Sequence, residues 1–272
     1  MRTQKSKLTE TMRPFKKLHS KKESMDRTRG KTIGIIPARY NSTRFPGKVL
    51  VDICGKSMLQ WVYERSKKAK KLDYLAIATD DKRVKEEAEK FGASVIMTSK
   101  KHKTGTERIA EAAENLRCDI VLNIQADEPL IPFQGINRLC TTMQQNRNIQ
   151  VSTLASMVSF DDPLVESTNS AKIVIDRNDF ALYFSRLPIP FSRNNLPRPF
   201  LIHIGIYAFK KEFLFEFVNL KKSKLEDLEK LEQLRILENG YRIKVIKTKY
   251  QTLSVDIPKD LERARKLFTS IR

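Results

Sequence analysis

Four short apolar runs in the first half of the chain alternate with polar, amphipathic stretches, and this alternation constrains the fold more than any other feature. The runs cover residues 32–37, 72–79, 94–98 and 119–125. Between them, residues 57–71 and 82–91 carry apolar positions at helical spacing, and Gly92 is placed to end the second helix. A third helix opens at Thr104-Gly105-Thr106-Glu107-Arg108 and ends near Leu116. Strand, helix, strand in this order predicts a mostly parallel sheet with helices on both faces, an α/β fold of Rossmann-like layout. In such open sheets ligands bind outside the carboxyl ends of the strands, so the residues that follow each run are where chemistry belongs.

The first run opens into TIGIIPARYNSTRFPGK, residues 32–48. Arg39, Arg44 and Lys48 stand there among amide and hydroxyl groups, a set suited to a polyanion such as a triphosphate; a solvated basic loop is the plain alternative. The loop has no G-x-G-x-x-G, and Gly55-Lys56-Ser57 is preceded by Leu50 where a P-loop needs glycine. The fourth run ends at Ala126-Asp127-Glu128-Pro129, which makes Asp127 either a metal-ligand candidate or an ordinary turn residue before proline.

The second half changes character. Strands are predicted at 152–158, 172–175, 181–186 and 202–209, with a Pro-rich link over 187–199, and together they suggest an antiparallel lobe at about 160–220. A single helix is predicted over 225–238, with Glu226, Glu229 and Gln233 on one face and a leucine stripe on another. A strand over 242–249 precedes Asp256, which either caps the last helix or repeats the strand–Asp–Pro layout of Asp127.

The 272 residues fit a basic tail over 1–29 and one large domain over 30–272. The net charge of +20 raises an anionic substrate or nucleic acid as partner, but no zinc-finger or RNP-type motif supports the latter. The tail holds ten Lys/Arg against three acids and lacks the apolar core of a secretory signal. Cys54, Cys118 and Cys140 form no C-x-x-C, which predicts reduced thiols in a cytoplasm and no zinc site. No apolar run approaches membrane-spanning length.

Eight segments in order resemble the 3-deoxy-D-manno-octulosonate cytidylyltransferases, the CMP-KDO synthetases: IIPARYNSTRFPGK (35–48), ATD (78–80), TGTER (104–108), NIQADEPLI (123–131), ALYFSR (181–186), HIGIY (203–207), LEKLEQLR (228–235) and VDIPKDLERAR (255–265). The resemblance runs from about Lys31 onward. It implies the nucleotide-diphospho-sugar transferase fold, a homodimer, CTP and the keto-sugar acid KDO as substrates, and Mg²⁺ as cofactor. Carried onto matching positions, Arg39, Ser42, Arg44 and Lys48 would hold the CTP phosphates, with Thr106, Glu107 and Arg108 near cytosine and ribose. Asp127 and Asp256 would hold the metal, and Gln125, Arg186, His203, Tyr207, Glu232 and Gln233 would line the sugar pocket. The chain departs from the family at Ala126, where glycine is usual, and over residues 193–201, a shorter loop. Three other readings stay open: a sister enzyme for another acidic sugar, such as the amino analogue of KDO; a basic nucleic-acid-binding protein; and an inactive homologue.

Overall fold

A computed structural model describes residues 30–41, 45–193, 198–250 and 253–271. The expected tail over 1–29, the phosphate-loop residues Ser42 and Arg44, and residues 194–197 of the short loop lie outside the described residues.

The strands are β1 Thr32–Pro37, β2 Asp52–Ile53, β3 Lys56–Ser57, β4 Tyr74–Thr79, β5 Ser94–Met97, β6 Ile120–Asn123, β7 Val151–Val158, β8 Lys172–Ile175, β9 Ala181–Ser185, β10 Phe200–Lys210 and β11 Ile243–Thr248. The helices are α1 Met58–Lys67, α2 Lys82–Lys90, α3 Gly105–Ala113, α4 Phe133–Gln145, α5 Pro163–Glu166, α6 Lys211–Asn219, α7 Lys224–Glu229, α8 Leu234–Glu238 and α9 Pro258–Ile271. Among the described residues no helix is long and apolar enough to cross a membrane.

Nine strands form one sheet, whose main path runs β11-β7-β10-β6-β1-β4-β5. The pairs β1/β4, β1/β6 and β4/β5 are parallel, as the alternating first half requires, and β7/β11 is parallel as well. β1 is central and wholly buried, with Ile36 packed on one face and Ile33 and Ile35 on the other. α1, α2 and α4 cover the first face, and α3, α6 and α8 the second.

The antiparallel segment expected as a lobe at about 160–220 is continuous with this sheet. β10 runs antiparallel to both β6 and β7 and joins the two parallel groups, while the hairpin β8/β9 branches from β10. The reversal matters for the site. β10 meets the end of β6 at Tyr207↔Asn123, so residues 203–206 reach past the carboxyl end of β6.

The single helix expected over 225–238 is two. α7 ends at Lys230, which takes a left-handed conformation (φ 54, ψ 43), and α8 begins only at Leu234. Arg186 fills the break: its Nε donates to Glu229 O (2.7 Å) and its NH2 to Lys230 O (3.2 Å), the carbonyls that a continuous helix would use. Glu226, Glu229 and Gln233 therefore do not share a helix face, and Glu232 and Gln233 lie in the link.

A smaller cluster of Ile53, Met58, Leu253, Val255, Leu261, Ala264 and Phe268 anchors α9 against α1 and the β2/β3 hairpin. Trp61 closes it, with its ring 4.5 Å from that of Phe268 and Nε1 donating to Ile53 O (2.8 Å). This packing fixes the segment that carries Asp256.

Candidate active site

The carboxyl ends of β1 and β6 open into a cleft of about 320 Å³ lined by Arg39, Asn41, Lys48, Gln125, Asp127 and Asp256, among others. The basic loop folds back on itself through Gly47, whose N–H donates to Tyr40 O (2.8 Å) at φ +71, a conformation that favours glycine. That turn delivers Lys48 into the cleft. Arg39 is held at the rim by donating to Lys103 O (3.0 Å).

Asp127 and Asp256 are far apart in sequence and come together here. Val255 N donates to Asp127 O (2.9 Å), which ties the two segments by their backbones. Asp256 stands two residues before α9 begins at Pro258, and Asp260 in the first turn of that helix accepts from the N–H groups of Asp256 (3.0 Å) and Ile257 (3.1 Å), which fixes the segment. Lys48 Nζ lies between the two carboxylates, 2.6 Å from Asp127 Oδ2 and 2.8 Å from Asp256 Oδ1. Burial alone would lower the Lys48 pKa, but the charges and hydrogen bonds of Asp127 and Asp256 outweigh it and hold the pKa above the usual lysine value. Both carboxylates thus reach one cation position. Two carboxylates completed by phosphate oxygens and water suit Mg²⁺, which takes few protein ligands.

The segment predicted to meet cytosine and ribose divides. Gly105 lines the cleft. Glu107 is a structural cap: its carboxylate accepts from Lys103 N (2.7 Å) and Thr104 N (3.4 Å), while Thr104 Oγ1 accepts from Glu107 N. Arg108 is fully buried, its guanidinium 3.1 Å from Asp80 Oδ2. Neither side chain lines the cleft wall. Thr106 points toward the sugar residues and donates to Glu232 Oε2 (2.5 Å).

A second cavity of about 250 Å³ shares Asp256 with the first and is lined by Arg186, His203, Gly205, Glu128 and Arg263 among others. Of the six residues expected to line a sugar pocket, Arg186 and His203 line this cavity and Gln125 lines the first cleft, while Tyr207, Glu232 and Gln233 line neither. Gln125 donates to Asn123 (3.1 Å), Asn123 to Thr106 (3.4 Å) and Thr106 to Glu232. Burial raises the Glu232 pKa, against the Thr106 hydrogen bond and the Arg235 charge. The Gln233 Nε2 group is buried with no hydrogen-bond partner among the described residues. Burial and the nearby Glu232 charge push the Tyr207 phenol well above its ordinary value.

Arg186 also donates to Thr168 O (2.8 Å), so it joins residues 167–170 to the α7–α8 link. Lys172 reinforces this joint from beneath: fully buried, it donates to Ser167 O (2.7 Å), Ser170 O (2.8 Å) and Arg186 O (2.5 Å).

His203 is boxed by Phe184 and Tyr207, with ring centroids 5.3 and 5.2 Å away, and its Nε2 lies 3.0 Å from Thr153 Oγ1. Burial pulls its pKa down to about 3, so the ring is neutral in working conditions. Between that value and the ordinary one of roughly 6.5, the unfolded chain binds the proton and the folded chain does not. Stability is therefore lost as pH falls through this window. His203→Gln should flatten the dependence of the urea midpoint between pH 6.5 and 4; an unchanged slope would remove His203 as its cause.

Sequence reasoning missed Glu128, Lys172 and Arg263. Glu128 shares with Asp127 the turn closed by Pro129, and that shared turn was the available signal.

A family model described as cytidylyltransferase matches residues 33–246. The 3-deoxy-manno-octulosonate cytidylyltransferase of Fusobacterium nucleatum is 46% identical over 234 residues, covering 86% of this chain and 95% of its own length. That of Syntrophobacter fumaroxidans is 48% identical over 239 residues, covering 85% and 94%. The solved structure of a CMP:2-keto-3-deoxy-manno-octonic acid synthetase complexed with CTP superposes with a TM-score of 0.84 at 37% identity, over 89% of this chain and 100% of that one. A cytidylyltransferase structure from Leptospira borgpetersenii, 18% identical with a TM-score of 0.61, shares the fold. With both carboxylates and the basic loop of the motif set meeting in one cleft, the chain belongs to the 3-deoxy-manno-octulosonate cytidylyltransferase family.

Proposed function

We propose that this protein transfers the cytidylyl group of CTP to KDO, giving CMP-KDO and pyrophosphate for lipopolysaccharide biosynthesis. The observation that carries the reading is the convergence of Asp127, Asp256 and Lys48 on one point, where the nucleotide cleft meets the sugar cavity. In this reaction the anomeric oxygen of KDO bonds to the α-phosphorus, the bridge to the β-phosphate breaks, and pyrophosphate leaves. Charge accumulates on phosphoryl oxygens, so the protein acts by positioning and charge stabilisation.

Arg39 and Lys48 bind the triphosphate from the β1 loop, together with Ser42 and Arg44. Asp127 and Asp256 would hold Mg²⁺, which would supply charge to neutralise the phosphates and a Lewis acid to make the attacking hydroxyl more acidic. The sugar carboxylate is taken by the cations of the second cavity, Arg186 and Arg263, while Gln125, Tyr207, Glu232 and Gln233 meet its hydroxyls. The neutral His203 ring supports this wall. The reading carries a cytoplasmic location, where CTP is made, and a homodimer. Leu182, Leu187 and Phe191 are exposed apolar side chains at and just beyond β9, suited to a second copy; a monomer mass by light scattering would remove the dimer.

Pyrophosphate release in the presence of Mg²⁺ tests the reaction, with each of the four nucleoside triphosphates and with or without KDO. Release is expected only with CTP and KDO together. Release with CTP and the amino analogue, but not KDO, would move the enzyme to a sister specificity. No release with any pair would overturn the reading.

A further inference from the structure

We propose that Glu128 is a sugar-binding residue that accepts a hydrogen bond from a hydroxyl of the acidic sugar; the inference rests on the functional reading above. Glu128 is 6% exposed. Its Oε1 accepts from Gly205 N (3.2 Å), and its Oε2 is buried with no hydrogen-bond partner among the described residues. A buried carboxylate oxygen without a donor is costly, and such groups in folded proteins call for an explanation. Here the side chain lines the cavity that also holds Arg186, Arg263 and His203.

The surrounding structure is built to hold this carboxylate. The pairing of β10 with β7 slips between Ile204 and Tyr207, a bulge that turns the Gly205 N–H toward Glu128. Thr153 Oγ1 lies 2.7 Å from Ile206 O and 3.4 Å from Ile204 O and donates into this kink. A Cβ at residue 205 would stand 3.3 Å from Glu128 Oε1 and 3.4 Å from Gln125 Cγ, so glycine permits the close approach. One oxygen is thereby fixed by the backbone, and the other is left without a donor on a side chain that lines the cavity. A polyhydroxylated acid supplies the matching donors, while Arg186 and Arg263 supply charge for its carboxylate.

Glu128→Gln tests this. Glutamine keeps an oxygen for Gly205 N–H and puts an amide NH2, a donor only, in the place of Oε2. The expected result is a rise of about 10-fold in the KM for KDO, with the KM for CTP within twofold and thermal stability retained. Wild-type turnover of KDO is the reference and reports separately on the functional reading. Single-deoxy analogues of the sugar complete the cycle. One analogue should lose with the wild type what KDO loses with Glu128→Gln, and lose nothing further with the variant. Glu128→Asp, which keeps the charge and shortens the reach by one methylene, should show the same selective KM rise. An unchanged KDO KM, an equal rise in both KM values, or additive losses for every analogue would overturn the proposal and leave Glu128 as support for the Asp127 turn.

Discussion

Asp127→Asn and Asp256→Asn should each lower kcat/KM about 10³-fold, roughly 4 kcal/mol of transition-state stabilisation, while the protein stays folded. The two carboxylates face one position, so neither substitutes for the other. Folding should survive because Lys48 keeps one anionic partner in each variant, and because Val255 N still donates to Asp127 O. Asparagine retains shape and an acceptor oxygen but not the charge that a divalent cation needs. Circular dichroism and thermal melts report the fold, and Mn²⁺ titration in the presence of CTP reports the metal. Near-normal turnover by either variant would remove that residue from the metal pair.

The second large effect belongs to Lys48. In the nucleotide-free protein its ammonium neutralises two carboxylates that would otherwise face each other, with the three side chains 12%, 24% and 25% exposed. Lys48→Met should destabilise the metal-free enzyme by about 2 kcal/mol, below the figure for a fully buried pair because solvent screens the group. A domain of this size should then melt several degrees lower. Mn²⁺ should restore the lost stability, since it binds the native state only. The free variant should also bind Mn²⁺ more tightly than wild type, because no internal cation competes for the site. At the same time kcat/KM should fall, as the triphosphate loses a cation. Calorimetry with EDTA and with Mn²⁺ separates these effects; weaker Mn²⁺ binding by the variant would show that Lys48 helps to build the metal site and does not compete for it.

The parallel half of the fold was legible because each element there announces itself locally. β1, β4, β5 and β6 begin and end within two residues of the apolar runs, and Asp81 and Thr104 cap α2 and α3. The later elements depend on partners far away. Residues 225–238 carry helical periodicity, yet the chain breaks at Lys230 and Arg186 takes the carbonyls at 229 and 230, so a tertiary contact stands where local preference would continue the helix. Periodicity also cannot say which neighbour a strand pairs with, so β10 read as part of a lobe when it bridges the main sheet. The helices α4 and α6 were not foreseen. In the site, Asp127 and Asp256 come to one cleft from distant stretches of sequence, with Lys48 paired to both, a contact the motifs did not imply. Glu107 shows the opposite lesson: Thr104-x-x-Glu107 is a capping-box pattern, and that local role claims its carboxylate.

The reversed strand β10 has a consequence for how such enzymes diversify. It is a seam: the cleft lined by Lys48 and Asp127 is built from β1, β6 and their loops, and the cavity lined by Arg186 and His203 from the branch β8/β9, the bulge and the α7–α8 link. The two sides touch chiefly at Asp256 and the turn after β6. Acceptor preference can therefore change through the β8/β9 branch and the α7–α8 link, while β10 and α6 stay fixed as parts of the shared sheet and core.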